Sequence, residues 1–328
     1  MRSSRVTRRH FLETAGSATA GLLYGAAVSN LLAEAGPGET LLDLHQHSFY
    51  TGRTHEQLLA HQRQNQVTTT VLLPIEGWMM QGGAKFATDW VLVVGGNRDS
   101  AQVEKENPGQ FLRFASSDPT QSRALDVIRG NLQRGAIGIG EMKYPVAVDS
   151  PEMHRVYKLA EEMRVPVLLH FEFETYNTGL ERFDKVLKAY PKINFIGHAQ
   201  TWWGNISASL DPLELYPKGA VKKGGLTDRL LSDYPNIYGD LSAGSGLNAL
   251  TRDPEFSRDF LQRHQRKLIW GSDCNCLDGK GAGIPGGKCI AAGSLAALRE
   301  LITDPAVLRR ILYENGTKLL GQRASPRG

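Results

Sequence analysis

The sequence predicts a single-domain α/β fold, a closed (β/α)8 barrel with an extra helix at its C-terminal end. Three observations carry this. From Thr40 onward, short apolar runs alternate with amphipathic ones about eight times, and strands separated by helices pair in parallel. The apolar runs are nearly continuous, as in Val165-Pro166-Val167-Leu168-Leu169, which is the pattern of strands covered on both faces. No glycine-rich phosphate loop follows an early strand. Gly138-Ile139-Gly140-Glu141 lacks a third glycine and has no helix directly behind it, which sets aside an open doubly wound sheet.

Each element has a local reason. Thr40–Leu44 reads as the first strand. Thr54–Gln64 reads as a helix, with Thr54 as N-cap and Glu56 in the first turn. Val67–Leu73 is β-branched and stops at Pro74. Trp90–Val94 suggests a short additional strand, and Asp99–Asn107 a helix ended by Pro108. Phe111–Ala115 is the third barrel strand, followed by a helix over Gln121–Arg134 closed by Gly135. Ala136–Met142 is a strand, and Pro151–Arg164 a helix with proline in its first turn. Val165–Phe171 and Ile193–Gly197 are strands on either side of a helix over Leu180–Tyr190. Leu226–Tyr234 is helical, Ile237–Leu241 a strand, Pro254–His264 a helix and Lys267–Gly271 the eighth strand. Gly293–Leu301 and Pro305–Leu312 close the chain as helices.

The first 35 residues read as an address. Arg2, Arg5 and Thr7-Arg8-Arg9-His10-Phe11-Leu12 precede an Ala/Gly-rich apolar stretch that ends in Ala33-Glu34-Ala35. This is the order of a secretory signal with an A-x-A cleavage site. The paired arginines resemble the twin-arginine (Tat) consensus, which implies export of an already folded protein to the periplasm or beyond. A membrane anchor fits less well, because Gly16, Ser17, Thr19, Gly21, Gly25, Ser29 and Asn30 make the stretch weakly apolar. The division is therefore 1–35 signal peptide, 36–321 barrel and 322–328 tail.

Of 328 residues, 41% are hydrophobic and 22% charged, an ordinary globular balance. Net charge is +4, and beyond residue 35 there are 34 basic and 32 acidic residues. A near-neutral body gives no electrostatic case for nucleic acid or for membrane binding after signal cleavage. The expected partners are a small-molecule substrate and the Tat machinery, with homo-oligomers left open.

Barrel chemistry sits where strands finish, and there the ionisable residues gather. His45 and His47 close the first strand, two residues apart and so on one face. Glu141 closes the fourth, with Lys143 two residues on. His170 closes the fifth, His198 the sixth and Asp273 the eighth, while Asp240 lies near the end of the seventh. A single histidine at a strand end is ordinary. Four histidines, one Glu and one Asp at the same end of parallel strands must converge on one mouth. Imidazole and carboxylate together suit Zn²⁺, and also Fe, Mn or Ni. His10, His55, His61, His154 and His264 read as solvated or structural.

This ordered set, with Gly271-Ser272-Asp273 and the final Ile311-Leu312-Tyr313-Glu314-Asn315-Gly316, resembles the amidohydrolase superfamily and its amidohydrolase-related branch. The resemblance covers about residues 40 to 321. It implies that His45, His47, His170 and Asp273 bind one divalent ion, with zinc expected, and that His198 is a second-metal ligand or a catalytic side chain. Gly140-Glu141 is similar to the fourth-strand Glu of TatD-like deoxyribonucleases. That implies a Glu141 bridge between two ions; the alternatives are charge pairs of Lys143 with Glu141 or Asp273.

The implied chemistry is hydrolysis by a metal-activated water, with Asp273 as proton acceptor and His198 polarising the bond attacked. Ester, lactone, amide and phosphoester bonds all fit. A non-oxidative decarboxylase of the same branch is the rival; it needs a cation for the substrate carboxylate, for which Lys143, Arg98 and Arg182 are candidates. A non-catalytic ligand-binding barrel is a third reading. Nuclease activity lacks the basic surface it requires. Phe49, Tyr50, Trp78, Phe171, Tyr176, Trp202 and Trp203 are candidates for pocket walls, and Lys143, Trp202 and Trp203 for substrate contacts. Cys274, Cys276 and Cys289 leave metal binding, a Cys274–Cys289 disulfide and buried thiols open; they are not counted as ligands.

Overall fold

A computed structural model describes residues 40–76, 79–81 and 91–321. The signal segment, its cleavage site, the tail and Trp78 lie outside the described residues. In chain order the elements are β1 (Leu42–Gln46), α1 (His55–Gln64), β2 (Thr69–Leu72), β3 (Met79–Gln81), β4 (Val91–Val93), α2 (Asn97–Glu106), β5 (Phe111–Arg113), α3 (Ala124–Gln133), β6 (Ile139–Met142) and α4 (Pro151–Met163). They continue as β7 (Val167–His170), α5 (Phe183–Ala189), β8 (Phe195–His198), α6 (Gln200–Gly204), α7 (Leu226–Asp233), β9 (Ile237–Asp240), α8 (Ala243–Thr251), α9 (Pro254–Arg263) and β10 (Leu268–Ile269). The chain ends in α10 (Ile290–Leu301), α11 (Pro305–Arg309), a π-turn at Arg310–Glu314 and α12 (Asn315–Gly321).

Setting aside the antiparallel β3–β4 hairpin, eight strands pair in parallel in two sheets, β1-β2-β5 and β6-β7-β8-β9-β10. Hydrogen bonds span both seams between them. Ala115 pairs with Ile139, with Ala115 N donating to Gly138 O at 2.9 Å and Gly140 N to Ala115 O at 2.9 Å. At the other seam, Leu44 N donates to Trp270 O at 3.2 Å and Asp273 N to His45 O at 2.8 Å. The circuit of bonded neighbours therefore returns to β1. Thr54 caps α1 in a reciprocal capping box with Gln57. Among the described residues no helix is long and apolar enough to cross a membrane.

The strands of the ring, with Ile137 just ahead of β6, send apolar side chains into one inner cluster: Leu42, Leu44, Val71, Leu73, Leu112, Phe114, Ile137, Leu168, Ile196, Tyr238 and Ile269. Tyr313, Leu319 and Leu320 join it and floor the barrel. Gly316 is needed there, since a Cβ would stand 2.8 Å from Leu42. The larger cluster lies between the strands and the outer helices.

Strict alternation would put Leu44 and His45 on opposite faces. Instead the β1–β2 register slips between Asp43 and Gln46. Leu44 packs in the inner cluster while His45 also reaches the central site. A second slip, between Ile139 and Met142 on β6, inserts one residue at Gly140-Glu141. Such bulges re-aim side chains next to functional sites.

Most strands are shorter than the sequence suggests, as in Phe111–Arg113 and Leu268–Ile269. Three elements were not legible in it. The stretches Ala243–Thr251 and Gln200–Gly204 are helical without charged periodicity, and the chain re-enters a helix at Asn315 beyond a π-turn. Of the histidines read as solvated or structural, His61 and His264 are buried, in line with the structural alternative.

One polar contact fastens the outer layer. Asp228 on α7 accepts from both ends of the Arg263 guanidinium and from His264 Nε2 at 2.6 Å. Burial pushes its carboxyl up, but His264 and Arg263 outweigh that and hold it down at about 2. A depressed carboxylate stabilises fully above its unfolded value, about 3.9, and the contribution fades as pH falls toward 2. Asp228→Asn should thus destabilise by about 1–3 kcal/mol at pH 7, with the gap closing toward pH 2 in thermal melts. A gap unchanged across that range would show that the carboxylate charge is not the source.

Candidate metal centre at the barrel mouth

β1, β6, β7, β8 and β10 all end at one place, and their terminal side chains meet there. His45 Nε2 and His47 Nε2 are 3.3 Å apart. Glu141 Oε2 lies 3.3 Å from His47 Nε2 and 3.7 Å from His45 Nε2. Glu141 Oε1 lies 2.5 Å from His170 Nδ1 and 3.7 Å from His198 Nε2. Asp273 closes the ring, with Oδ1 at 3.4 Å from His47 and 3.8 Å from His45, and Oδ2 at 3.7 Å from His198. All six sequence candidates for metal binding converge. They form three overlapping triads able to hold an ion: His45–His47–Glu141, His45–His198–Asp273 and Glu141–His170–His198.

The hydrogen bonds behind the ring fix which nitrogen faces inward. His45 Nδ1 donates to Asp240 Oδ2 at 2.7 Å, and His47 Nδ1 to the Leu73 carbonyl at 2.5 Å. His198 Nδ1 lies 3.0 Å from Ser242 Oγ, whose proton goes to Asp240 Oδ2 at 2.8 Å. With both Nδ1 atoms engaged behind them, the two Nε2 atoms face each other at 3.3 Å, an arrangement relieved by a proton or a metal ion between them. Two nitrogens on one tetrahedral zinc are about 3.3–3.4 Å apart, from Zn–N of about 2.0–2.1 Å. Asp273 Oδ1, buried, has no hydrogen-bond donor among the described residues. The residues fit a divalent metal.

The electrostatics agree. Burial alone would lower the His45 imidazolium, but Asp273 and Asp240 hold it well above the ordinary histidine value. His47 is raised for the same kind of reason, by Asp273 and Glu141 against burial. Burial pushes the Glu141 carboxyl up, and His170 with the other imidazoles brings it well below the usual range. Asp273 is likewise held low by His45 and His47 against burial. The carboxylates draw positive charge to the centre, as protons or as metal. His198 differs: burial, then the charge of His45, lowers it, so it stays neutral.

Asp240, Ser242 and Glu172 complete the site. Glu172 Oε2 takes the outer His170 nitrogen at 3.0 Å. Its signal was present, two residues beyond His170 on the same side. Asp240 ends β9, but nothing in the sequence says that one carboxylate oxygen serves two histidines.

Lys143 does not pair with Glu141 or Asp273. The residue is buried; its ammonium stands 5.6 Å from the Tyr176 ring centroid, its charge is felt by Glu172, and it has no ion-pair partner among the described residues. Trp202 and Trp203 are not pocket walls. Both are buried, Trp202 stacks on Phe171 and Trp203 donates to Asp240 O at 2.8 Å. Gly197 admits the Trp202 ring, since a Cβ would lie 2.5 Å from it. Of the other decarboxylase candidates, Arg98 is exposed and Arg182 is engaged by Asp149 and Glu181. Tyr50 sits against His47 at 4.9 Å between ring centroids. Burial and the Asp273 charge keep its phenol protonated.

This fold and this ring of histidines and acids define an α/β barrel of the amidohydrolase kind with a candidate metal site at its mouth. The amidohydrolase family model matches residues 43–322, and the chain belongs to that family. Its members are enzymes, hydrolases or decarboxylases, and usually bind a divalent metal. Solved structures share the fold. An uncharacterised TIM-barrel protein from Bordetella bronchiseptica aligns with TM-score 0.58 at 15% identity, covering 87% of this chain and 100% of that one. A probable 2-pyrone-4,6-dicarboxylic acid hydrolase from Acinetobacter baumannii, with citric acid bound, aligns at 0.57 and 15%, covering 86% and 99%. A 2,6-dihydroxybenzoate decarboxylase from Rhizobium aligns at 0.50 and 14%, also covering 86% and 99%. No curated protein matches the sequence.

Gly271 lets the eighth strand approach the site. A Cβ there would stand 2.7 Å from Asp240 Oδ1 and 2.9 Å from His45 Cβ. Gly271→Ala should lower thermal stability and weaken divalent-metal affinity about 10–100-fold in a chelator competition. Gly293→Ala, whose Cβ would make only an ordinary 3.5 Å contact, serves as control. Equal affinity in the two variants would reject the constraint.

Proposed function

We propose that this chain is a metal-dependent hydrolase that cleaves an ester, lactone, amide or related bond of a small molecule with water. The observation that carries the reading is Asp273. Its carboxylate is held ionised at the mouth, within 3.4–3.8 Å of three imidazoles, with one oxygen lacking a hydrogen-bond donor among the described residues.

His45, His47, Glu141, His170, His198 and Asp273 would hold the metal. When bound, a divalent ion supplies Lewis acidity and lowers the pKa of a water from 15.7 to about 7. Asp273 accepts the proton of the attacking water and passes it to the leaving group. His198, neutral and with Nδ1–H engaged by Ser242, turns a lone pair inward, so it serves as a ligand rather than as a proton donor. Glu172 takes the outer N–H of His170 and frees Nδ1 for the centre. Asp240 orients His45 and His198 together.

Lys143 gives the substrate a chemical character. An ammonium without an ion pair among the described residues suits a substrate carboxylate or another acidic group beside the bond that reacts. The same cation favours a second reading, decarboxylation of an acidic substrate, because the carboxylate lost would need such an anchor.

Metal content and isotope incorporation test the proposal. Purified protein should hold bound divalent metal, with zinc expected. Glu141→Gln should lose one equivalent, since Glu141 touches both halves of the ring. Asp273→Asn should lower kcat by about 10²–10⁴-fold, and Lys143→Met should raise KM for acidic substrates more than it lowers kcat. Product formed in ¹⁸O-water should carry the label. Unlabelled product with release of carbon dioxide would establish the decarboxylase instead, and unchanged metal content in Glu141→Gln would remove that residue from the ligand set.

The N-terminal segment extends the proposal to export by the twin-arginine route. Changing Arg8 and Arg9 together to Lys should leave precursor inside the cell in a fractionation assay. Normal export of that variant would overturn this assignment.

A further inference from the structure

We propose that His61, Cys274, Cys276 and Cys289 form a second, structural metal centre, a tetrahedral Cys₃His zinc site that locks the loop after the eighth strand to α1. It stands apart from the barrel-mouth centre in donors and in purpose.

The four residues come from three places and meet in the protein interior. His61 lies on α1, Cys274 and Cys276 follow Asp273, and Cys289 is the N-cap of α10. All four are buried, and their ligand atoms lie within 4.8 Å of one another. Cys274 Sγ and Cys289 Sγ are 3.8 Å apart, and Cys289 Sγ is 3.5 Å from His61 Nε2. Two sulfurs on one tetrahedral zinc are about 3.8 Å apart, and a sulfur and a nitrogen about 3.6 Å, given Zn–S near 2.3 Å. The two distances match those around a single ion, and Cys276 Sγ lies within 4.8 Å of the other three donors. A set with three sulfurs and one nitrogen is the donor choice of zinc.

The surroundings prepare each donor. Gln62 spends its amide protons on Asp43 Oδ2 at 3.0 Å and Thr70 Oγ1 at 2.6 Å. Its carbonyl oxygen therefore faces His61 Nδ1, at 2.8 Å, and takes that N–H. The lone pair of Nε2 is left facing the sulfurs. Cys276 Sγ accepts the Gly281 N–H at 3.0 Å, the kind of bond that steadies a metal-bound thiolate. Without metal the Cys276 thiol donates to Asp278 Oδ1 at 3.3 Å; that oxygen also accepts from the amides of Lys280, Gly281 and Ala282, so it stays satisfied when metal binding removes the thiol proton.

Charge supplies an independent argument. Arg53 is fully buried and donates only to uncharged oxygens: Gln46 Oε1 and the carbonyls of His47, Cys274 and Cys276. It has no ion-pair partner among the described residues. A buried guanidinium without a counter-charge is costly. Zinc with three thiolates and one neutral imidazole carries one net negative charge, next to the loop that Arg53 grips. Binding releases the three thiol protons to solvent.

The full-length protein, loaded with Co²⁺ in place of zinc, tests this without any activity assay. Thiolate ligation gives an intense charge-transfer band in the near ultraviolet; the nitrogen and oxygen donors of the barrel-mouth site give none. We expect that band, and in zinc-loaded protein one metal equivalent that is lost in Cys276→Ser but kept when His45 and His47 are both changed to Ala. His61→Cys should preserve the band where His61→Ala weakens it, which separates ligation from mere packing. Absence of the band in wild-type cobalt protein would overturn the proposal. So would a Cys274–Cys289 disulfide, seen as alkylation of one thiol rather than three in denatured protein without reductant. Failure of the barrel-mouth hydrolase reading would leave this result unaffected.

Discussion

The constraint on which the rest depends is the pairing of the first strand with the last. Asp273 N donates to His45 O, and Leu44 N to Trp270 O. Asp43 reinforces the join by accepting both the backbone and the hydroxyl of Ser272, 229 residues away in sequence. Arg53 adds a staple from the first loop to the carbonyls of Cys274 and Cys276. Without this seam the ring stays open, and His45 and His47 never meet Asp273. Barrel closure and assembly of the mouth are one event. Contacts so distant in sequence are costly to form in loop entropy and slow folding, so the seam is dense with buried polar bonds.

The second organising element is the carboxylate of Asp240. Its Oδ2 serves His45 and His198 and accepts the Ser242 hydroxyl, while the Trp203 indole holds its backbone carbonyl. A residue with no place in the ligand ring thereby sets the tautomer of two members of it. Burial is what makes this effective, since a low dielectric strengthens each such bond and penalises any unpaired charge. The histidines with raised values and the acids with depressed ones are the two sides of that coupling.

The sequence made the ring of strand ends legible because chemistry and position coincided there. His45, His47, Glu141, His170, His198 and Asp273 each sat at the end of an apolar run, and one fold class puts such ends together. Three kinds of feature were hidden. Register slips at Asp43–Gln46 and at Ile139–Met142 leave no compositional mark, although they aim His45 and Glu141. Trp202 and Trp203 follow His198 and suggested a pocket wall; whether an indole faces a mouth or a core depends on glycines such as Gly197 across from it. His61 on its helix and the cysteines more than two hundred residues later are unremarkable apart and become a cluster only through the closing seam.

The floor of the barrel ties two distant parts of the chain together. Tyr313, Leu319 and Leu320 cover Leu42 and Leu44, near the beginning of the described fold. Cleavage of the chain between α10 and α11 would therefore not trim a loose end. It would free the segment that shields the foot of the first strand, and the inner cluster would meet water from the side away from the ring of histidines and acids.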